Sequence, residues 1–167
     1  VDIDITHDFS AIQWYHVVAT GNFNSSGPHE LFIDGVLEGS SNAVVNSKPA
    51  TFESPRLGNF GSAYVVDQNA FAGQIDNFRM YNVQLDVTQI DEVKCGNISN
   101  VAANILTFLD FENGAGSAIA SDISALGNNG VLTNMNTTSA WVTSDLETEC
   151  TTFTNDYNGT EDASDAY

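Results

Sequence analysis

Short runs of β-branched and aromatic residues, each closed by a Gly, Asn, Ser or Pro cluster, fill roughly the first ninety residues, and helical periodicity is almost absent there. That patterning commits the chain to an all-β fold. Residues 11–20 (AIQWYHVVAT) read as a central strand ending at the Gly21-Asn22 turn signal. Residues 29–34 (HELFID) alternate, with Leu31 and Ile33 on one face, and run into Asp34-Gly35. An Asp-Gly step between apolar runs predicts a type I′ hairpin, because both central positions of that turn need positive φ. Val36 and Leu37 then start the returning strand. Residues 51–58 (TFESPRLG) suit only a sheet edge, since Pro55 lacks the donor of a central ladder. Residues 71–81 (FAGQIDNFRMY) form the next strong strand, with a bulge near Asp76-Asn77 bringing Ile75 onto the core face with Phe78 and Met80. Residues 86–93 (DVTQIDEV) make one short helix: Asp86 caps it, Gln89 completes a capping box, and Val87, Ile90 and Val93 supply an apolar stripe.

Residues 97–104 have the composition of a linker, after which residues 105–111 (ILTFLDF) resume strand character with apolar residues in both phases, which suits burial on both faces. Residues 114–130 are small and polar, with the turn dipeptides Gly127-Asn128 and Asn129-Gly130, and residues 131–133 and 140–143 read as short strands. Residues 145–167 carry Asp145, Glu147, Glu149, Asp156, Glu161, Asp162 and Asp165 with no Lys or Arg, a composition that does not fold by itself. Three regions result: 1–96, 97–144 and an acidic tail, 145–167.

Charge removes whole classes of partner. With 22 acidic against 4 basic residues the net charge is −18, and Lys48, Arg56, Arg79 and Lys94 are scattered singly. Nucleic acid needs a basic stripe and an anionic membrane surface attracts cations, so neither suits this chain. No apolar run approaches the roughly 18 to 20 residues that span a bilayer. Cys95 and Cys150 lack the companions of a zinc site. A disulfide between them, worth roughly 4 kcal/mol in the chain-entropy model, implies an oxidising compartment; two free thiols are the alternative. Sequons at Asn24, Asn97, Asn136 and Asn158 fit a secreted, extracellular glycoprotein. Val1 opens on no targeting stretch, which fits a mature form or a fragment.

Taken in order, Trp14-Tyr15-His16-Val17-Val18, Leu31-Phe32-Ile33-Asp34-Gly35, Leu57-Gly58, the segment from Phe71-Ala72-Gly73 through Ile75-Asp76-Asn77-Phe78-Arg79-Met80-Tyr81, and the short helix resemble a laminin-G-like domain. The resemblance implies a concanavalin A-like antiparallel jelly-roll β-sandwich. The later stretch 109–116, the Asp122 turn, Gly127-Asn128-Asn129-Gly130-Val131-Leu132 and Trp141 are similar to the opening strands of the same family, which normally precede the first half. The closing part of one sandwich thus runs into the opening part of another. A circular permutation, a fragment of a tandem array and a subunit that lends strands to its neighbour all give that order. A jelly roll without its opening strands leaves an unpaired edge beside open core, which another segment must cover. The strand holding Leu106, Phe108, Leu109 and Phe111 is the candidate, either folding back or entering a second copy, where giving and receiving builds a filament unless a ring closes.

Catalysis finds no support in the residue pattern. Glycoside hydrolases of this fold carry paired carboxylates on one strand face, and Glu30 and Asp34 do not share such a face. His7, His16 and His29 show no metal or nucleophile spacing, and His16 is expected to be packed or hydrogen-bonded. Calcium is the candidate cofactor, with Asp110, Glu112 and Asp122 as ligands and a solvated acidic surface as the plainer reading. Glycan binding is what the resemblance implies, with Trp141 and Tyr64 as stacking candidates and Trp14 assigned to the core. The expected function is a non-enzymatic extracellular structural subunit, with copies of itself as partners, that polymerises by strand complementation. The alternative is a monomeric carbohydrate-binding or adhesion module.

Overall fold

The structure, a computed structural model, describes residues 3, 5–9, 13–21, 27–42, 57–58 and 71–143. It is built of antiparallel sheets and one α-helix. Strands β1 (Val17–Thr20), β2 (His29–Ile33) and β3 (Val36–Ser41) form one sheet in the order β1-β2-β3. The β2–β3 turn is the expected type I′: Asp34 and Gly35 have φ of 51° and 84°, and Ile33 faces Val36. β1 is shorter than the sequence suggested because β2 offers partners only from Glu30 to Ile33. His16, just outside β1, exchanges bonds with the turn instead, accepting from the Asp34 N–H at 2.8 Å and donating its own N–H to Asp34 Oδ1 at 2.9 Å. Trp14 lies outside the strand and is half-buried, so it is not the core residue the sequence indicated.

Helix α1 (Val87–Lys94) begins as expected, with both halves of the Asp86/Gln89 capping box formed. Ile90 and Val93 point inward, whereas Val87 is 55% exposed and Leu85, just before the cap, takes its place in the core. These residues pack with Phe32 of β2 and with Val101, flanked by Val18, Tyr81 and Ile98. The supposed linker 97–104 therefore contributes Val101, and in part Ile98, to the core. Val101 is fully buried at the start of a 3-10 turn (Ala102–Asn104), because the chain must cross the helix end before it can pair again.

Strand β4 (Phe78–Tyr81) is shorter than residues 71–81. Asn77, at φ 51°, breaks the strand where a bulge was expected. Ile75 and Met80, each 37% exposed, are consequently not brought to the core. Strand β5 (Ile105–Leu109) pairs antiparallel with β4 within the chain, and Phe111, at φ 57°, ends the extended run. Strands β6 (Ile119–Ala120) and β7 (Gly130–Val131) make a small hairpin; β6 was not foreseen, and residues 140–143 form no strand. Residues 51–56 of the proposed edge strand, residue 144 and the acidic tail, 145–167, lie outside the described residues.

Candidate functional site

The surroundings of β5 decide how the two halves of the chain relate. On one side Phe78 faces Leu109, Arg79 faces Phe108 and Met80 faces Thr107. Arg79 also sets its guanidinium 4.2 Å over the Phe108 ring and donates to the Val93 carbonyl in the last turn of α1 at 3.4 Å. On the other side a loop covers β5. The Phe108 N–H donates to Asp122 Oδ1 at 2.8 Å, the Ile123 N–H to the Phe108 carbonyl at 2.9 Å, and the Asn128 amide to the Leu106 carbonyl at 2.8 Å. Both edges of the strand expected to mediate assembly are thus engaged inside one chain, with Leu109 buried and Leu106, Phe108 and Phe111 half-buried.

Asp122 is the centre of that loop. Its carboxylate also accepts from the Ser124 N–H at 2.9 Å, the Ser124 hydroxyl at 2.8 Å and the Asn128 N–H at 2.8 Å. Partial burial pushes the carboxyl up, but the Phe108 N–H, the Ser124 hydroxyl and N–H and the Asn128 N–H outweigh it and hold it at about 2. Both oxygens are occupied by donors, which turns the expected calcium ligand into a structural hub. Asp110 accepts from the Glu112 N–H at 3.2 Å, and Glu112 is exposed. Among the described residues no group of three or more His, Cys, Asp or Glu side chains converges as a metal site, so the calcium set of Asp110, Glu112 and Asp122 is not assembled.

Trp141 is half-buried, gives its indole N–H to the Ser117 carbonyl at 2.8 Å, and lies against Phe111 at a centroid distance of 6.4 Å. That bond ties the end of the 137–140 turn to the segment leading into β6. Tyr64 lies outside the described residues. Cys95 is disulfide-bonded, and no described cysteine is free; Cys150, the other cysteine of the sequence, lies outside the described residues. Of the sequons, Asn97 accepts from the Ser99 hydroxyl at 2.7 Å, and exposed Asn136 accepts from the Thr138 N–H at 2.9 Å. Asn24 and Asn158 lie outside the described residues.

The hairpin turn is clamped to the helix: Lys94 Nζ donates to the Asp34 carbonyl at 3.1 Å, and a Cβ on Gly35 would stand 2.5 Å from Asp91 Oδ1. His16 is half-buried beside this junction, with its Nδ1 buried and unpartnered. Burial lowers its pKa below 6.5, and Arg79 and Lys94 add to that against Asp34 and Asp91. The unfolded chain accordingly takes up this proton first, so stability is lost as pH falls below about 6.5 toward the folded value. The thermal midpoint is expected to drop between pH 7 and pH 5, with a shallower slope in His16→Gln; an equal slope in the variant would remove His16 as the source.

One group of side chains escaped the sequence reading. His7, Phe9 and Tyr15 form a three-ring cluster, with centroids 4.6 Å apart for His7–Phe9, 5.1 Å for Phe9–Tyr15 and 5.5 Å for His7–Tyr15. His7 Nδ1 lies 3.2 Å from Glu38 Oε1 on β3. No spacing rule links residues 7, 9 and 15, all before β1, to residue 38 on β3.

A family model described as the concanavalin A-like lectin/glucanase superfamily, of laminin-G type, matches residues 2–91, just over half of the chain. The chain belongs to that superfamily. Among the described residues, the antiparallel sheets and one α-helix agree with the sandwich that the laminin-G-like family builds, and none of these sheets closes into a barrel. Laminin-G-like domains are commonly extracellular and generally non-enzymatic. No helix among the described residues is long and apolar enough to cross a membrane. Searches of curated proteins and of solved structures found no match.

Proposed function

We propose that this chain is a non-catalytic extracellular binding module, of adhesion or carbohydrate-binding type, that closes on itself. The observation that carries this reading is the double engagement of β5, by β4 on one edge and by the Asp122–Asn128 loop on the other. A strand satisfied on both edges has no ladder left to offer a neighbour. The laminin-G-like family, the disulfide at Cys95 and the sequons support the extracellular setting.

Strand complementation into a filament is the second reading. What favours it is the order of the halves: the family match ends at residue 91, while β5 follows it and fills the place beside β4. A neighbour's β5 can occupy that place in the same register. Light scattering after size exclusion separates the two. A monomer from 1 to 100 µM, with no fibres in negative stain, is the expected result; dimers or polymers abolished by Phe108→Asp would overturn self-closure in favour of exchange.

A further inference from the structure

We infer that the cleft between the β2–β3 hairpin and the start of α1 is a docking site for a basic protein segment, one that carries a Lys or Arg side chain flanked by apolar residues. The inference rests on the adhesion form of the binding-module reading and names the place and the chemistry of the partner within it. The cleft has a volume of about 460 Å³, inside the range of roughly 300–1,000 Å³ that pockets holding a ligand occupy. Phe32 and Leu37 face each other across β2 and β3, and Leu85 and Val87 line it from the start of α1. Phe32 and Leu85 are buried, whereas Leu37, 48% exposed, and Val87, 55% exposed, leave apolar surface open to water. A concave apolar patch with a polar rim is the form that interaction sites take.

Charge decides the occupant. Two acidic residues, Glu30 and Asp86, line the cleft. Asp86 is already committed, since its carboxylate accepts from the Gln89 N–H at 2.9 Å in the cap of α1. Glu30 is half-buried on β2, two residues from Phe32 and so on the same strand face, and among the described residues no hydrogen bond or ion pair engages its carboxylate. A carboxylate partly withdrawn from water and left unpaired favours an incoming cation. The N-terminal end of α1 opposes this with roughly half a positive unit charge, but Asp86 at the cap outweighs it with a full negative one. Lys and Arg match both halves of the cleft, because the aliphatic stem covers Leu37 and Val87 while the charged head pairs with Glu30. A second copy of the chain is a poor occupant. At −18 the copies repel one another, and Arg79 and Lys94 are held within their own chain, by the Phe108 ring and by the Asp34 carbonyl.

The full chain is titrated into a fluorescein-labelled, end-blocked peptide of alternating leucine and lysine, and anisotropy is read at about 150 mM salt, where attraction to distant surface charge is screened beyond about 8 Å. Binding is expected, weakened at least tenfold by Glu30→Gln and severalfold by Leu37→Ser, and at least tenfold weaker for a peptide of alternating alanine and lysine with the same charge. Glu112→Gln removes an equal charge from an exposed position on the other half of the chain and should leave binding unchanged. Circular dichroism of Glu30→Gln matching the unsubstituted chain assigns its loss to the cleft. Equal weakening by Glu30→Gln and Glu112→Gln, or equal affinity for the leucine and alanine peptides, reduces the attraction to diffuse charge and overturns the site. Self-association of the peptide-free chain that is lost in Glu30→Gln gives the cleft to a second copy and overturns the basic partner. No binding up to millimolar peptide overturns the docking site and leaves the self-closed module standing, because that reading is judged by the monomeric state.

Discussion

Phe32→Ala is expected to remove about 3–5 kcal/mol of stability, the usual cost of deleting a buried aromatic side chain. Phe32 is 3% exposed and packs with Leu85, Ile90, Val93 and Val101, so its ring joins the β1–β3 sheet to the helix and to the crossing segment after it. Removing it leaves a cavity bordered by three separate stretches of chain, which cannot all move inward at once. A domain of this size has about 5–15 kcal/mol in total, so a large part of the native population is at stake. Denaturant unfolding of Phe32→Ala and the milder Phe32→Leu measures the effect. A loss under 1 kcal/mol in Phe32→Ala would show that the sheet and helix do not depend on this contact.

Asp122→Ala has the next largest expected effect. The substitution deletes four hydrogen bonds to one carboxylate, from Phe108, Ser124 twice and Asn128, and strips the outer edge of β5. Hydrogen bonds to a charged group are worth roughly 1.5–3 kcal/mol where they are shielded, but Asp122 is only half-buried and water replaces part of them. A loss of about 2–3 kcal/mol for the whole set follows, or roughly 5–10 °C in thermal midpoint. Acid gives an independent check. The carboxyl is depressed from 3.8 to about 2 in the folded chain, so its contribution is complete above the unfolded value and is lost as pH falls from 3.8 through about 2. The unsubstituted chain should lose stability across that window more steeply than Asp122→Ala. Superimposable acid profiles, or a midpoint shift under 2 °C, would show that the loop holds without its centre.

Local chemistry was legible wherever one short segment decides the outcome. Asp34-Gly35 adopts the positive φ pair its residues favour, and Asp86 and Gln89 close the capping box at the start of α1. The readings that missed depended on which neighbour arrives. Asn97 to Asn104 has a polar composition, yet Val101 is almost fully buried because α1 and β2 lie under it. Asp122, read as a cation ligand from its type and neighbours, meets backbone N–H groups instead, since the Gly127-Asn128 turn folds back toward it. Trp141 was legible as an unusual residue, but not the carbonyl that claims its indole. The ring cluster at Phe9 could not be read, because its carboxylate comes from β3 and the other rings from before β1.

The short connection between β4 and β5 has a consequence for any rivalry between copies. Residues 82–104 tether β5 to its own partner, and much of that stretch is already fixed by α1 and the 3-10 turn. A short tether of this kind gives an effective concentration on the order of millimolar, and pre-folding of the connector raises it when the span is right. An incoming strand at micromolar concentration therefore starts about a thousandfold behind. Crowding many chains onto a surface, or catching them before the resident strand has docked, would reverse that handicap.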